Sequence, residues 1–196
     1  MRSFHPEKVP VPPDFQPFPI DPAKPLDVEI GCGAGFHPVH YARAHPERQL
    51  IAIERTSEKF EKFLGRIRGH EPLPNLTPVH GDAVAWITHG IRPASVDRYF
   101  LLYPNPYPKE SQRNLRFHEM PFFAHLRATM KPGGTITIAT NEKFHADEAR
   151  ARLLQHWEMK LVEDRILAPS ESPRTHFEKK YLARGEACYN LVFERP

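Results

Sequence analysis

The sequence predicts an α/β fold, a doubly wound and mainly parallel sheet with antiparallel strands added at its C-terminal end. From residue 26 onward, short apolar runs alternate with amphipathic stretches, which is typical of a parallel sheet covered by helices on both faces. A glycine-rich turn follows the first apolar run. After about residue 160 the apolar runs follow one another closely. The 196 residues, 40% of them hydrophobic, suffice for one domain with a substantial core.

Each element is placed by its apolar run. Strands are predicted at residues 26–30, 50–54, 76–80, 96–103 and 135–140, and helices near 37–45, 57–69, 118–130 and 146–157. In the C-terminal region, MKLVEDRIL, THFEKKYLA and ACYNLVFE indicate three closely spaced strands at one sheet edge. Because ligands bind at the carboxyl ends of parallel strands, functional residues are expected directly after the strands.

Residues 1–25 differ from the rest in composition. They contain eight prolines, which disfavour helix and sheet. We expect a poorly ordered or surface-draped arm here, with a proline-rich recognition tail as the alternative, and a single domain over residues 26–196.

Composition also excludes some classes of protein. No apolar run approaches the length of a membrane span, and the N-terminus lacks the apolar stretch of a signal peptide, so a cytoplasmic protein without membrane association is expected. Cys32 and Cys188 do not form a disulfide framework, and we expect free thiols. The net charge of +3 permits nucleic-acid binding without requiring it. The sequence does not distinguish a monomer from a homodimer.

The segment EIGCGAGF, residues 29–36, predicts a ligand-binding turn. Its glycines, including Gly31 and Gly33, allow a tight turn and close approach of a ligand. A dinucleotide would place pyrophosphate at the helix N-terminus, where the carboxylate of Glu29 would repel it, and Phe36 stands where a third glycine is usual. S-adenosylmethionine carries an ammonium and a sulfonium instead of phosphate. Glu29 therefore favours a methyl donor as the cofactor.

Two further acids end strands. Glu54 follows the second strand, where an acid commonly accepts hydrogen bonds from both ribose hydroxyls; an ordinary surface glutamate is the alternative. Asp82 follows the third strand, where a carboxylate can hold the adenine amino group; a helix N-cap is nearly as good an interpretation and does not exclude it. Glu29, Glu54 and Asp82 together match three polar parts of one ligand.

The fourth strand runs into YPNPYPKESQRNLR, residues 103–116. Three prolines within six residues predict a rigid loop at the edge where the donor methyl should project. We interpret it as an active-site loop, against the alternative of a proline-rich surface turn. Three nearby histidines, His37, His40 and His45, lack companion ligands at metal-binding spacing, so no metal site is expected.

These motifs resemble the bacterial tRNA (guanine-N7)-methyltransferases, class I enzymes that use S-adenosylmethionine. The resemblance covers nearly everything from Leu26 onward, through EIGCGAG, IAIER, YPNPYPK, ATN and THFEKK in order. It implies a Rossmann-like, seven-stranded sheet and tRNA as the substrate.

The resemblance also implies roles for individual residues. It assigns the methyl donor to Glu29, Glu54 and Asp82, and places Asn105 beside the donor and Lys109 at the substrate. Substrate-side positions fall on Asn141, Thr175 and Glu178. Asn105 takes the catalytic role of orienting donor and base.

Two positions depart from the family pattern, since Asn105 and Asn141 stand where the family carries aspartates. Guanine N7 has a lone pair, so the transfer needs no general base and depends on positioning and electrostatics. A carboxylate would stabilise the cationic product ring better than an amide. The basic run after the loop is also thinner than in the family, with only Lys109, Arg113 and Arg116.

Three hypotheses follow from the sequence. The first is a tRNA guanine-N7 methyltransferase that is a divergent member of the family. The second is a methyltransferase of the same fold with another acceptor, either a small molecule or a protein, for which the two asparagines reflect a changed substrate. The third is a non-catalytic protein that binds RNA or S-adenosylmethionine.

Overall fold

The protein, described here by a computed structural model over residues 3–196, contains one seven-stranded sheet. Its strands are β1 (Leu26–Ile30), β2 (Gln49–Glu54), β3 (Leu76–His80), β4 (Val96–Leu102), β5 (Met130–Thr140), β6 (Lys160–Ile166) and β7 (Tyr189–Glu194). Their order across the sheet is β3-β2-β1-β4-β5-β7-β6. The first five strands pair in parallel, and β7 pairs antiparallel with both β5 and β6. The predicted sheet, mainly parallel with antiparallel C-terminal strands, is confirmed.

In this described part of the chain, six α-helices cover both faces of the sheet: α1 (Phe36–Ala44), α2 (Ser57–Arg68), α3 (Ala83–Gly90), α4 (Phe122–Thr129), α5 (Lys143–Gln155) and α6 (His176–Ala183). Alternate residues of a strand face opposite sides, and β2 shows this directly. Leu50 and Ala52 pack with Phe63 of α2, whereas Ile51 and Ile53 belong to the cluster that includes Leu153 of α5. The sheet is therefore doubly wound.

The C-terminal region corrects one prediction. Residues 175–183, predicted as a strand, form α6 instead. Thr175 is its N-cap, since the hydroxyl Oγ1 accepts a hydrogen bond of 3.0 Å from the backbone N–H of Glu178. This is one half of a capping box. Gly185 follows the helix end at φ +70°. This is the left-handed conformation in which many helices end and which glycine adopts readily.

Other elements differ in their bounds. The short helix α3 was not predicted, although Asp82 was recognised as a possible N-cap. The helix predicted from residue 118 begins at Phe122, after a 3-10 turn over Phe117–Glu119. The strand predicted from residue 135 begins at Met130. Met130 pairs with Val96 of β4, and the pairing resumes at Arg98 and Thr135 after a register shift.

The proline-rich arm, whose residues 1 and 2 lie outside the described part of the chain, runs over the surface of the sheet domain. Phe4 lies against Phe122, with ring centroids 5.4 Å apart, and Phe18 lies 5.5 Å from Trp86. The carbonyl oxygen of Val9 is 2.9 Å from the His89 ring nitrogen Nε2. Aromatic contacts thus attach the arm to α3 and α4. In residues 3–196, no helix combines the length and apolarity needed to cross a membrane.

Candidate active site

A cavity of about 360 Å³ opens at the carboxyl ends of β1, β2 and β4. The strand order reverses between β1 and β4, and such a switch point is where open α/β sheets bind ligands. Among the predicted site residues, the cavity is lined by Glu29, Gly31, Glu54, Asp82, Asn105 and Thr175. Gly33, Lys109, Asn141 and Glu178 lie outside this lining. The fold thus brings together six of the predicted residues.

The glycine turn forms the floor of the cavity through its backbone conformation. Gly31, Gly33 and Gly35 have φ values of +73°, +59° and +75°, which a residue with a Cβ adopts only at a cost. At Gly35 space matters as well, because a Cβ there would lie 2.0 Å from Cδ2 of Phe63. The backbone N–H groups of Gly31 and Cys32 both donate to the carbonyl oxygen of Ile53, at 2.8 and 3.1 Å. The turn is therefore held against the end of β2.

Glu29 lies beneath this turn and is 2% exposed. Its Oε2 is 2.8 Å from Nδ1 of His37, a residue that the sequence singled out only as a weak metal candidate. The region around the turn is electronegative: burial, together with the charges of Glu29 and Glu54, raises the pKa of the Cys32 thiol well above its ordinary value. A cavity with this potential suits a cationic ligand.

Glu54 joins the end of β2 to the glycine turn. Its Oε2 accepts a hydrogen bond of 2.9 Å from the backbone N–H of Gly33, and its Oε1 accepts one of 2.7 Å from that of Thr56. The side chain is buried in this position, so it is not an ordinary surface glutamate. Gly33, although outside the cavity lining, thereby fixes the carboxylate that lines it.

Asp82 caps α3 and borders the cavity at the same time. Its Oδ1 accepts hydrogen bonds of 2.9 Å and 3.3 Å from the backbone N–H groups of Val84 and Ala85. The N-cap interpretation is therefore correct, and as expected it does not exclude contact with a ligand in the cavity.

The loop after β4 has an unusual backbone. Tyr103 and Tyr107 have φ values of +52° and +47°, which are uncommon for residues other than glycine and mark conformations that the surrounding structure must hold. Asn105, between them, is exposed and lines the cavity. Its Oδ1 accepts a hydrogen bond of 3.3 Å from the backbone N–H of Tyr107.

Arg116 holds this loop from below. Its guanidinium donates to the carbonyl oxygen of Tyr107 at 2.8 and 3.2 Å and to that of Lys109 at 3.4 Å. The same group pairs with Glu148 of α5 and lies 5.2 Å from the Phe144 ring centroid. Because Arg116 is 2% exposed, its expected place in a basic run at the substrate is corrected: it positions the loop instead.

The other two cations of that run differ from each other. Arg113 pairs with Glu119 at 3.1 Å and with Glu110 at 3.4 Å. Lys109 is exposed and, within residues 3–196, makes no ion pair. The loop therefore offers one unpaired cation to a substrate.

Glu178 is buried beneath the cavity wall, at 1% exposure. It accepts hydrogen bonds from the Tyr103 hydroxyl at 2.9 Å and from the backbone N–H and guanidinium of Arg174, both at 2.7 Å. Burial disfavours its charge, but the bonds from Arg174 and Tyr103 outweigh it and lower the pKa of Glu178. This network joins the end of β4 to the start of α6, where Thr175 lines the cavity.

Asn141 follows β5 and lies beside two carboxylates. Its Nδ2 donates to Glu186 at 3.1 Å and to Glu142 at 3.4 Å. An amide can make these two bonds, whereas an aspartate at this position would add a third negative charge. The departure at Asn141 thus has a local structural explanation.

Sequence reasoning missed the aromatic wall of the cavity. The Phe36 ring lies 4.4 Å from the His40 ring and 4.7 Å from the His176 ring, and the Arg66 guanidinium lies 5.4 Å from its centroid. These groups come from α1, α2 and α6. The spacing of Thr175 and Glu178, which is typical of a helix N-terminus, could have revealed α6, but no sequence pattern indicates that its first residue meets Phe36.

One further group of side chains has metal-ligand chemistry. Ligand atoms of His118, Glu119 and Glu148 lie within 4.8 Å of one another. However, Arg113 already pairs with Glu119, and Arg116 with Glu148. The arginines supply the positive charge that a cation would otherwise bring.

Comparison with known proteins agrees with this geometry. A family model described as "Putative methyltransferase" matches residues 23–191. A tRNA (guanine-N(7)-)-methyltransferase from Nitrosococcus oceani is 30% identical over 168 residues, covering 86% of this chain and 70% of the relative. The enzyme of that name from Roseobacter denitrificans is 31% identical, with 88% and 74% covered.

Solved structures show the same fold at lower identity. The 16S rRNA methyltransferase KamB superposes with a TM-score of 0.66 at 19% identity, covering 89% of this chain and 90% of that one. TYW2 from M. jannaschii, solved in complex with AdoMet, gives a TM-score of 0.56 at 17% identity, with 90% and 72% covered. The fold is that of methyltransferases that use S-adenosylmethionine, and the chain belongs to the tRNA (guanine-N7)-methyltransferase family.

Proposed function

We propose that this protein transfers a methyl group from S-adenosylmethionine to N7 of a guanine in tRNA. The proposal rests on the acids around one cavity. Glu29, Glu54 and Asp82 lie at or just past the carboxyl ends of three strands and line the cavity together with Asn105. Family membership supports tRNA as the acceptor, and we infer a cytoplasmic protein, which would meet tRNA there.

The cavity fits the donor in size and charge. Its volume lies within the usual range of small-molecule sites, about 300–1,000 Å³. In our assignment Glu54 accepts hydrogen bonds from the ribose hydroxyls, Asp82 accepts one from the adenine amino group, and Glu29 attracts the ammonium. S-adenosylmethionine supplies an electrophilic methyl group on a sulfonium. The backbone of Gly31 and Gly33 allows the ligand to approach closely.

Exposed apolar side chains at the cavity suit a nucleobase. Leu115 and Phe177 line the cavity and are 45% and 46% exposed, and Tyr107 lies in the same lining. Unstacked bases bind to aromatic and apolar faces. These side chains can therefore hold the flat acceptor ring, while Thr175 contributes a polar atom at the same wall.

Methyl transfer to guanine N7 depends on the orientation of the reacting groups and not on proton transfer. N7 of guanine carries a lone pair, so no general base is needed, and the purine becomes cationic as the methyl transfers. In this account Asn105 orients the reacting groups, and Asn141, with Lys109, lies on the substrate side. Glu178 positions Tyr103 and α6 from below.

We infer that residues 26–196 act as one catalytic domain and that residues 1–25 are an accessory arm. The proposal is tested by incubating the protein and donor with unmodified tRNA, followed by nucleoside mass spectrometry. Methyl transfer to another acceptor, with none to tRNA, would support the same-fold alternative. Donor binding by calorimetry without turnover on any RNA would support a non-catalytic role.

A further inference from the structure

A shallow groove of about 760 Å³ lies between α2 and the start of α6, beside the cavity. Lys62, Arg66, His70 and His176 supply its polar lining, and Ala34, Gly65 and Gly69 complete it. Ala34 and His176 line the cavity as well. The groove and the candidate active site therefore meet at these two residues.

Arg66, which lines the groove, and Arg43, which contacts the groove residue His70, bond to imidazoles instead of carboxylates. Nη2 of Arg66 is 2.9 Å from Nε2 of His176, and Nη1 of Arg43 is 3.2 Å from Nδ1 of His70. A guanidinium can only donate, so each of these imidazole nitrogens is an unprotonated acceptor. Arg150, by contrast, bonds to two carboxylates. Within residues 3–196, neither Arg43 nor Arg66 pairs with a carboxylate.

Positive charge near the groove also affects His40 of α1. Burial, followed by the charge of Arg66 and with a smaller effect of Arg43, lowers the pKa of His40. Among the described residues that line the groove, Lys62 alone contacts a carboxylate, that of Glu58 at 2.6 Å. Both partners of that pair are largely exposed, so the pair neutralises little and exchanges readily with solvent.

The dipole of α2 does not reverse this potential. The groove lies at the C-terminal end of the helix, where the partial charge is about −0.5. Arg66 and Arg68 stand in the last turn, and two full positive charges exceed that value. The groove is therefore a net attractor of anions.

We propose that this groove binds backbone phosphates of the RNA substrate, which then approaches the cavity across α2 and α6. This inference rests on the proposed function and names the surface that the RNA occupies. Arginine forks suit phosphate oxygens, and phosphate contacts fix the register of a nucleic acid on a protein. The loop after β4 cannot supply all of these phosphate contacts, because Arg116 is buried and Arg113 is paired with Glu119.

The test compares variants by the salt dependence of tRNA binding. Each phosphate contact contributes about one unit to the slope of log K against log salt. We expect Lys62→Gln to reduce that slope by about 1 and the double variant Arg43→Gln/Lys62→Gln to reduce it by about 2. Both side chains are exposed, so folding should be retained, and donor affinity measured by calorimetry should match wild type.

Lys160→Gln is the matched control, because Lys160 lies on β6 at the opposite edge of the sheet. Groove variants with the same slope and affinity as this control would overturn the inference, even if the wild-type protein methylates tRNA. A wild-type protein that neither binds nor methylates tRNA would overturn the proposed function, and the groove proposal with it.

Discussion

The guanidinium of Arg116 makes two hydrogen bonds, of 2.8 and 3.2 Å, to the carbonyl oxygen of Tyr107. Tyr107 is one of two residues with positive φ that flank Asn105. The other side of Arg116 is fixed by Glu148. A buried arginine thus connects the loop at the cavity to α5, and it holds a strained backbone in one conformation.

Replacing this arginine should misplace the loop without removing the donor site. Arg116→Lys keeps the charge beside Glu148 but loses the fork that reaches the two carbonyl oxygens. A displacement of about 1 Å at a reacting centre costs roughly 100-fold in rate, so we expect kcat on tRNA to fall by about 10- to 100-fold. Donor affinity by calorimetry should stay near wild type. The control is Arg150→Lys on α5, the helix that carries Glu148, and equal kcat values for the two variants would refute the role.

Asp82 combines two roles that substitutions can separate. Serine caps helices as well as aspartate does, so Asp82→Ser should leave the free energy of unfolding nearly unchanged. Its hydroxyl is too short to reach a ligand, and loss of a hydrogen bond to a charged group costs about 1.5–3 kcal/mol, so donor affinity should fall at least about tenfold. Asp82→Ala should lose about 1 kcal/mol of stability in addition. Calorimetry measures the donor affinity, and urea unfolding measures the stability. Unchanged donor affinity in Asp82→Ser would show that Asp82 caps the helix but does not bind the donor.

Asn105 is the position at which a carboxylate should increase activity. It is exposed and lines the cavity, so Asn105→Asp introduces a negative charge where the purine becomes cationic. We expect kcat on tRNA to rise by roughly one to two orders of magnitude. Single-turnover methyl transfer measures it, with Asn105→Ala as the comparison. A rate that falls in both variants would show that the amide itself is required.

The second departure should respond in the opposite way. Asn141→Asp places a carboxylate against Glu142 and Glu186, which both accept hydrogen bonds from the amide. We expect a loss of about 1–3 kcal/mol in the free energy of unfolding, since two acceptors lose their donor. Adding Glu186→Gln should restore much of it. Denaturant unfolding of the single and double variants is the measurement, and a stable Asn141→Asp protein would contradict the explanation.

Stability should depend on pH through two buried histidines. Burial lowers the pKa of His118 to about 3 and that of His145 to about 4. Their nitrogens are buried without hydrogen-bond partners. In the unfolded chain both histidines take up a proton near pH 6.5, whereas in the folded protein they stay neutral to about pH 4 and pH 3. The stability contributed by the neutral histidines is therefore complete above pH 6.5 and is lost as the pH falls from about 6.5 toward these values.

Each of these groups changes the free energy of unfolding by up to about 1.4 kcal/mol per pH unit in that window. His118→Leu should therefore reduce the slope of the free energy of unfolding against pH, between pH 6 and pH 4, by the amount that one bound proton contributes. His5→Gln, on the exposed arm, is the control. Equal slopes in the two variants, measured by urea unfolding across the pH range, would show that His118 is not neutral in the folded protein.

The sequence predicted three acids that line the cavity because their positions follow from chain order. Glu29, Glu54 and Asp82 lie at or just past the ends of apolar strands, and parallel strands bring such ends to one edge. The helix α6 was predicted as a strand because eight residues are too few to show a helical period clearly. Thr175 and Glu178 carried the capping signal that distinguishes the two.

The remaining contacts could not be predicted because they join residues distant in sequence. Arg116 and Glu148 are 32 residues apart, and Arg66 and His176 are 110 apart. Neither pair has a local pattern, and only the packing of α5 and α6 brings its members together. Arg116 illustrates the consequence, since charge alone placed it at the substrate and its burial places it under the loop.

The most direct measurement of the central claim is nucleoside mass spectrometry of unmodified tRNA incubated with this protein and S-adenosylmethionine. We expect N7-methylguanosine in the digest, at a level that Arg116→Lys lowers and Arg150→Lys does not. Donor binding by the wild-type protein with no N7-methylguanosine formed in tRNA would contradict it.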